Sequence, residues 1–159
     1  MTKRVIVAGG RNFDNYQLLQ SCLDYIFKDI SPKVDIEIVS GHAEGADKLG
    51  EKYAKDHNLS LKVFPAEWEK YGKKAGSIRN SQMIDYAKEQ IPMVVAFWNG
   101  KSRGTMDTLS KAQLNGIESI VILFNSEGDM LRSIRYDYGY IEENIGDNNP
   151  IDGQLKFDL

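Results

Sequence analysis

Apolar runs of four to six residues alternate along this chain with stretches whose apolar positions follow a helical period. Residues 3–8 place Val5, Ile6, Val7 and Ala8 in succession, the pattern of a strand buried on both faces. Asp14 or Asn15 can cap a helix running to about Asp29, with Leu18, Leu19, Cys22, Leu23, Ile26 and Phe27 on one stripe. Pro32 marks the turn into a second strand at 36–40, and a helix from Ala46 to about Asn58 presents Ala46, Leu49, Tyr53 and Ala54. A third strand at 59–64 closes on Pro65. Residues 66–76 have no clear period and read as a loop over the rim of a pocket. A helix at 77–89 turns Ile78, Ile84 and Ala87 inward, and Pro92 precedes a fourth strand at 93–98. The helix 105–115 ends on Gly116, and 118–124 is a fifth strand.

Strands and helices in this alternation predict right-handed crossovers, hence an α/β fold with one doubly wound parallel sheet of about five strands and helices on both faces. In such a sheet ligands bind at the carboxyl ends of the strands, where the winding reverses. A 3-2-1-4-5 order would set the loops after the first and fourth strands on either side of that crevice. Residues 1–125 form the expected core, and 126–159 an extension. There Ile134, Tyr136, Tyr138 and Tyr140 alternate as in a strand with an aromatic face, 146–150 is a turn signal, and 154–159 suits a last short strand. This β-rich extension covers the domain, completes its core, or pairs with another subunit.

Composition narrows the class. At 159 residues, 42% hydrophobic and 27% charged, the chain is expected to be one soluble domain. The first apolar run stops at Gly9, too short for a signal peptide, and no run approaches the ~20 residues of a membrane helix. A single cysteine on a helical face points to a cytoplasmic protein. From Glu127 to Leu159 eight acidic residues face three Lys or Arg, a net of −5 that leaves +2 for the rest of a chain totalling −3. Such a mildly basic body suits a small anion and disfavours long nucleic acid. Two separated histidines and one cysteine give no metal-ligand spacing, so neither a metal nor a cofactor is expected.

The candidate chemistry lies where strands feed glycine loops at helix N-termini, a device for holding anions on backbone N–H groups. It recurs three times: Gly9, Gly10, Arg11, Asn12 and Phe13; Ser40, Gly41, His42, Glu44, Gly45 and Asp47; and Trp98, Asn99, Gly100, Lys101, Ser102, Arg103, Gly104 and Thr105. None is a Walker A or a Gly-x-Gly-x-x-Gly loop, which disfavours a redox dinucleotide enzyme. Arg79 and Asn80 open a helix, where a cation opposes the helix dipole unless an anion is near; a solvated arginine or a salt bridge within the protein is the alternative. Trp98 and Trp68 either stack on a base or bury as ordinary aromatics, and His42 either meets a ribose or phosphate or satisfies its own loop. Among the carboxylates, Glu44, Asp47 and Asp107 are the acid–base candidates, with a helix cap as the default role of Asp47.

Together, Val7-Ala8-Gly9-Gly10-Arg11-Asn12-Phe13, Ser40-Gly41-His42-Ala43-Glu44-Gly45-Ala46-Asp47, Ala75-Gly76-x-x-Arg79-Asn80-x-x-Met83 and Ala96-Phe97-Trp98-Asn99-Gly100-x-Ser102-x-Gly104-Thr105 resemble the YspA (cpYpsA-related) branch of the SLOG superfamily. That superfamily groups DprA/Smf-like proteins with the LOG phosphoribohydrolases. The resemblance spans about residues 3–124. It implies a Rossmann-like fold that binds nucleotides or their derivatives, as a homodimer or larger homo-oligomer, with links to NAD- and ADP-ribose-related signals in conflicts between bacteria and phages. It further implies that Gly9, Gly10 and Arg11 floor the ligand site and that Gly41 and Gly45 shape the second loop. Arg79 and Asn80 would meet the ligand from a helix, and Ser102, Gly104 and Thr105 would hold phosphate. LOG enzymes carry Pro-Gly-Gly-x-Gly-Thr-x-x-Glu, whose glutamate assists cleavage of the N-glycosidic bond; Thr108 stands at that position here. Asp107 is one residue away, about 100° around a helix.

The leading expectation is therefore a non-enzymatic protein that binds a nucleotide derivative, cyclic or linear, as a sensor or sequestering agent. The alternatives are a nucleotide-processing enzyme (N-glycosidase, phosphoribohydrolase or phosphohydrolase) and a DprA-like binder of single-stranded nucleic acid.

Overall fold

A computed structural model describes residues 1–137 and, as strand backbone, 140–145. The longest apolar runs occupy the middle of the sheet, where both faces are covered. Strand β1 (Thr2–Gly9) lies between β2 (Asp35–Ser40) and β4 (Ile91–Trp98), parallel to both. With β3 (Ser60–Val63) and β5 (Ser119–Phe124), the parallel part reads β3-β2-β1-β4-β5. This is the order that puts the winding reversal between β1 and β4.

One face of the sheet packs on α1 (Tyr16–Phe27) and α2 (Ala46–Asp56). Leu19 and Leu23 of α1 and Ala54 of α2 meet Val5, Val7 and Ile38 there, all at 0% exposure. Asn15 caps α1 by accepting the Leu18 N–H at 3.0 Å. The opposite face packs on α4 (Ala75–Lys88) and α5 (Arg103–Leu114), through Met83, Ile84, Ala87 and Ala112 against Ile6, Val39 and Val94. Ser102, not a residue nearer Thr105, caps α5, so that helix starts two residues earlier than its apolar period suggests. A short α3 (Trp68–Tyr71) and a 3₁₀ turn over Gly72–Lys74 fill part of the segment read as a loop, and α4 begins at Ala75. None of the residues of α3 or of that turn is buried. They therefore have no apolar stripe from which a period could be read.

The extension continues the same sheet. Strand β6 (Met130–Asp137) pairs antiparallel with β5, and β7 (Tyr140–Ile145) pairs antiparallel with β6. Met130, Ser133 and Ile134 of β6 are buried, so this strand completes the core beside β5. Asn15 also ties the two parts together, its Nδ2 donating to the Gly128 carbonyl at 3.0 Å. Tyr138, the turn at 146–150 and the strand at 154–159 lie outside the described residues.

Candidate functional site

A cavity of about 600 Å³ opens at the carboxyl ends of β1 and β4, where the order of winding reverses. Its walls come from the loop after β1, the first turn of α2, the first turns of α4, and the loop and first turns of α5. Gly9, Gly10, Arg11 and Asn12 line it from the first loop. The fifth member of that stretch, Phe13, points the other way. It is 1% exposed and stacks on Phe97 (centroids 5.0 Å apart) and against Phe124 (4.8 Å), burial that contributes about 2–3 kcal/mol. One loop is thus polar above and nailed to the core below.

The second loop meets the cavity only through Ala43 and Asp47. Its glycines serve contacts within the protein. Gly45 has φ +84°, and an added Cβ there would collide with the carbonyls of Gly10 and Arg11. The first N–H of α2, on Ala46, is spent on the Gly10 carbonyl at 3.2 Å. At Gly41 a Cβ would sit 2.7 Å from Arg79 Nη1 and 2.9 Å from Asp47 Oδ2. Only glycine lets that guanidinium and that carboxylate close over the backbone. Ser40, which is buried, and His42, which is exposed, are likewise engaged by a different partner. His42 Nδ1 lies 2.9 Å from Glu51 Oε2, and Ser40 Oγ donates to the same oxygen at 2.8 Å. Glu44 is exposed and pairs with Lys48.

Arg79 and Asn80 enter from α4. Arg79 Nη1 donates to the Gly41 carbonyl and Nε to Asn80 Oδ1 (2.9 Å). Asn80 Nδ2 donates in turn to Asp107 Oδ2 at 3.0 Å, which ties α4 to α5 beneath the cavity. Asn99, Ser102, Arg103, Gly104, Thr105 and Asp107 line the α5 side. Thr105 Oγ1 donates to Ser102 Oγ at 3.1 Å. Thr108 also lines the cavity and is buried, with Oγ1 donating to the Gly104 carbonyl at 3.3 Å. Trp98 and Lys101 stand elsewhere. The indole of Trp98 donates to the Ser102 carbonyl (3.1 Å) and borders an apolar recess, while Lys101 borders a neighbouring cavity; Gly100 lines neither. Trp68, 52% exposed, stands in the wall of the main cavity.

The two acidic groups in the wall differ electrostatically. Burial pushes the Asp47 carboxyl up to about 6; the Ala43 N–H (3.2 Å from Oδ2) and Arg79 oppose that rise, and Glu51 adds to it. Burial also acts on Asp107, but hydrogen bonds from Lys111 (2.7 Å) and Asn80 outweigh it and hold that carboxyl below the ordinary value. Burial lowers the guanidinium pKa of Arg79, with Asp47 opposing and Arg11 assisting. The wall therefore carries one firmly ionised carboxylate, one carboxyl able to change its proton near neutrality, and three arginines, Arg11, Arg79 and Arg103.

Gly76 and Met83, both fixed positions of the α4 motif, also line the cavity, with Trp68 3.6 Å from where a Gly76 Cβ would be. Ser77 joins them without a sequence signature, because α4 crosses the rim. Among the described residues no group of three or more His, Cys, Asp or Glu is placed to hold a metal ion, and no helix is long and apolar enough to cross a membrane.

Comparison with known proteins agrees with this geometry. Residues 3–71, which include the first two loops, match the profile of the YspA, cpYpsA-related SLOG family. The chain is 31% identical over 124 residues to the Gene 61 protein of Mycobacterium phage D29, an alignment that spans 74% of this chain and 94% of that protein. No solved structure matches it significantly. With the first two glycine loops inside the matched segment and a relative aligned over nearly its whole length, the chain belongs to the YspA, cpYpsA-related SLOG family.

Proposed function

We propose that the cavity binds a nucleotide derivative containing adenine and ribose, of the ADP-ribose or NAD-derived kind, and that the protein senses or sequesters it. The observation that carries this reading is convergence. Arg11, Arg79, Asp47 and the capped start of α5, drawn from four separate elements, border one hollow whose volume suits a nucleotide. Arg11 and Arg79 supply the positive charge that phosphates need, and the free N–H groups of the first turn of α5 point along the helix dipole toward the same space. Asp47 is suited to ribose hydroxyls, since a carboxylate accepts two hydrogen bonds at once. Trp68 at the rim offers a face for the base. The phage origin of the related protein supports a role in exchanges between phages and bacteria.

Calorimetry against AMP, ADP, ADP-ribose, NAD and cyclic ADP-ribose tests the reading. At least one should bind in the micromolar range and lose most of its affinity in Arg79→Gln. Absence of binding below millimolar concentrations across the panel would refute it.

A second reading, turnover at the N-glycosidic or phosphate bond, is favoured by one feature: the Asp47 carboxyl gains and loses a proton near pH 6, as a general acid or base must. Thr108, in the place of the LOG glutamate, cannot supply that function. Chromatography of the same ligands after long incubation separates the two readings, because sequestration leaves every ligand intact.

A further inference from the structure

A second cavity, of about 350 Å³, lies beside the first on the β5 side of the loops. Asn12 and Asn99 belong to the walls of both. Everything else that lines the smaller one lies outside the larger: Asp14 and Phe13, Lys101, Phe124 at the end of β5, Leu131 of β6, and the connection between them with Asn125, Ser126 and Gly128.

The hydrogen-bonding capacity of this second space can be read from what its asparagines already do. Asn99 Oδ1 accepts the N–H groups of Lys101 (2.9 Å) and Ser102 (3.0 Å). Asn125 Oδ1 accepts those of Glu127 (2.9 Å) and Asp129 (3.0 Å). With both carbonyl oxygens committed, each side chain has its NH₂ donor to offer a ligand. The Lys101 ammonium adds three more donors and a positive charge. Asp14 is the one carboxylate, and Phe124 and Leu131 supply apolar surface, Leu131 at 49% exposure. A lining rich in donors, with one cation, one carboxylate and an apolar wall, matches a sugar: oxygens toward the donors, a hydroxyl pair toward the carboxylate, ring carbons on the apolar side.

We infer that the two cavities form one two-lobed site for a nucleoside diphosphate that carries a second sugar. The inference rests on the reading of the larger cavity as a nucleotide site. The nucleoside occupies the larger lobe, the diphosphate crosses the Asn12–Asn99 wall beside the start of α5, and the terminal sugar occupies the smaller lobe. A ligand that ends at its phosphates fills only the first lobe and leaves the second to water.

Calorimetry with ADP and ADP-ribose, which differ by that terminal sugar, tests this on the full chain. ADP-ribose should bind at least about tenfold more tightly than ADP. Ser126→Trp, at an exposed position, fills the smaller lobe; it should bring ADP-ribose to the affinity of ADP while leaving ADP within about twofold of wild type. Lys101→Glu, also exposed, should shift the pair in the same direction. Equal affinity of the two ligands in the wild type would overturn the second lobe and leave the first standing. So would a Ser126→Trp effect that is absent or falls equally on both. If neither ligand binds, the nucleotide reading of the larger cavity fails, and the second lobe with it.

Discussion

Replacing Asp47 by Asn should make the protein more stable, by an amount that grows with pH. The carboxyl is buried, and its pKa rises from 3.8 to about 6, so the folded state holds its proton more tightly than the unfolded chain does. A group raised in this way favours folding below its unfolded pKa and opposes it once ionised. The penalty therefore builds as pH climbs from about 4 to about 6 and is constant above. At about 1.4 kcal/mol per pH unit, the difference between 3.8 and about 6 amounts to about 3 kcal/mol at pH 8. The charged groups that set this balance are Arg79 from α4 and Arg11 from the first loop on one side, and Glu51 of α2 on the other. Asparagine keeps an oxygen to accept the Ala43 N–H and carries no charge at any pH. For a chain of this length about 3 kcal/mol corresponds to about 6–12 °C in the thermal midpoint. Urea unfolding of wild type and Asp47→Asn, at half-unit steps from pH 4 to pH 8, measures it. The two proteins should nearly coincide at pH 4, and the variant should lead by about 3 kcal/mol at pH 8. A constant gap over the whole range, or a variant that is weaker at pH 8, would refute the assignment of a costly ionised carboxylate at this position.

Three other outcomes follow from the same structure. Arg79→Gln should keep the fold, as judged by circular dichroism, and weaken nucleotide binding by about 10–100-fold in calorimetry, the contribution of charge-assisted hydrogen bonds. Gly45→Ala should destabilise by more than about 2 kcal/mol in urea, because its Cβ meets the Gly10 and Arg11 carbonyls. Gly116→Ala, also at positive φ (+64°) but facing open space, should cost only about 1 kcal/mol, and equal costs would deny that the first two loops interlock. Asn15→Ala should lose about 1–2 kcal/mol through the α1 cap and the Gly128 tie together, a loss that Asn15→Ser should only partly restore because serine can cap but is too short to reach Gly128.

The fold was legible because burial on both faces leaves a plain mark: four consecutive apolar residues at Val5–Ala8 occur where a strand has neighbours on either side and helices above and below. The segment 66–76 left none, since α3 buries nothing. The cavity wall was legible at the polar positions of the first loop and of the helix starts, as at Arg11, Asn12, Arg79 and Ser102–Thr105, all of which line it. It was opaque at Gly41 and Gly45. A glycine permits close approach, and the sequence does not say whether what approaches is a ligand, a guanidinium or another carbonyl. Phe13 was opaque for a related reason, sitting in a polar loop with no periodicity to reveal that its ring belongs to the core.

That ring has a consequence for how such a protein can change. Because Phe13, pressed between Phe97 and Phe124, anchors the first loop from beneath, the backbone of Gly10, Arg11 and Asn12 is set by a contact in which their side chains take no part. Positions 11 and 12, which line the cavity, are therefore free to exchange one side chain for another without re-founding the scaffold. On the proposed function, new specificities can arise on this frame by single replacements, with the old architecture inherited intact.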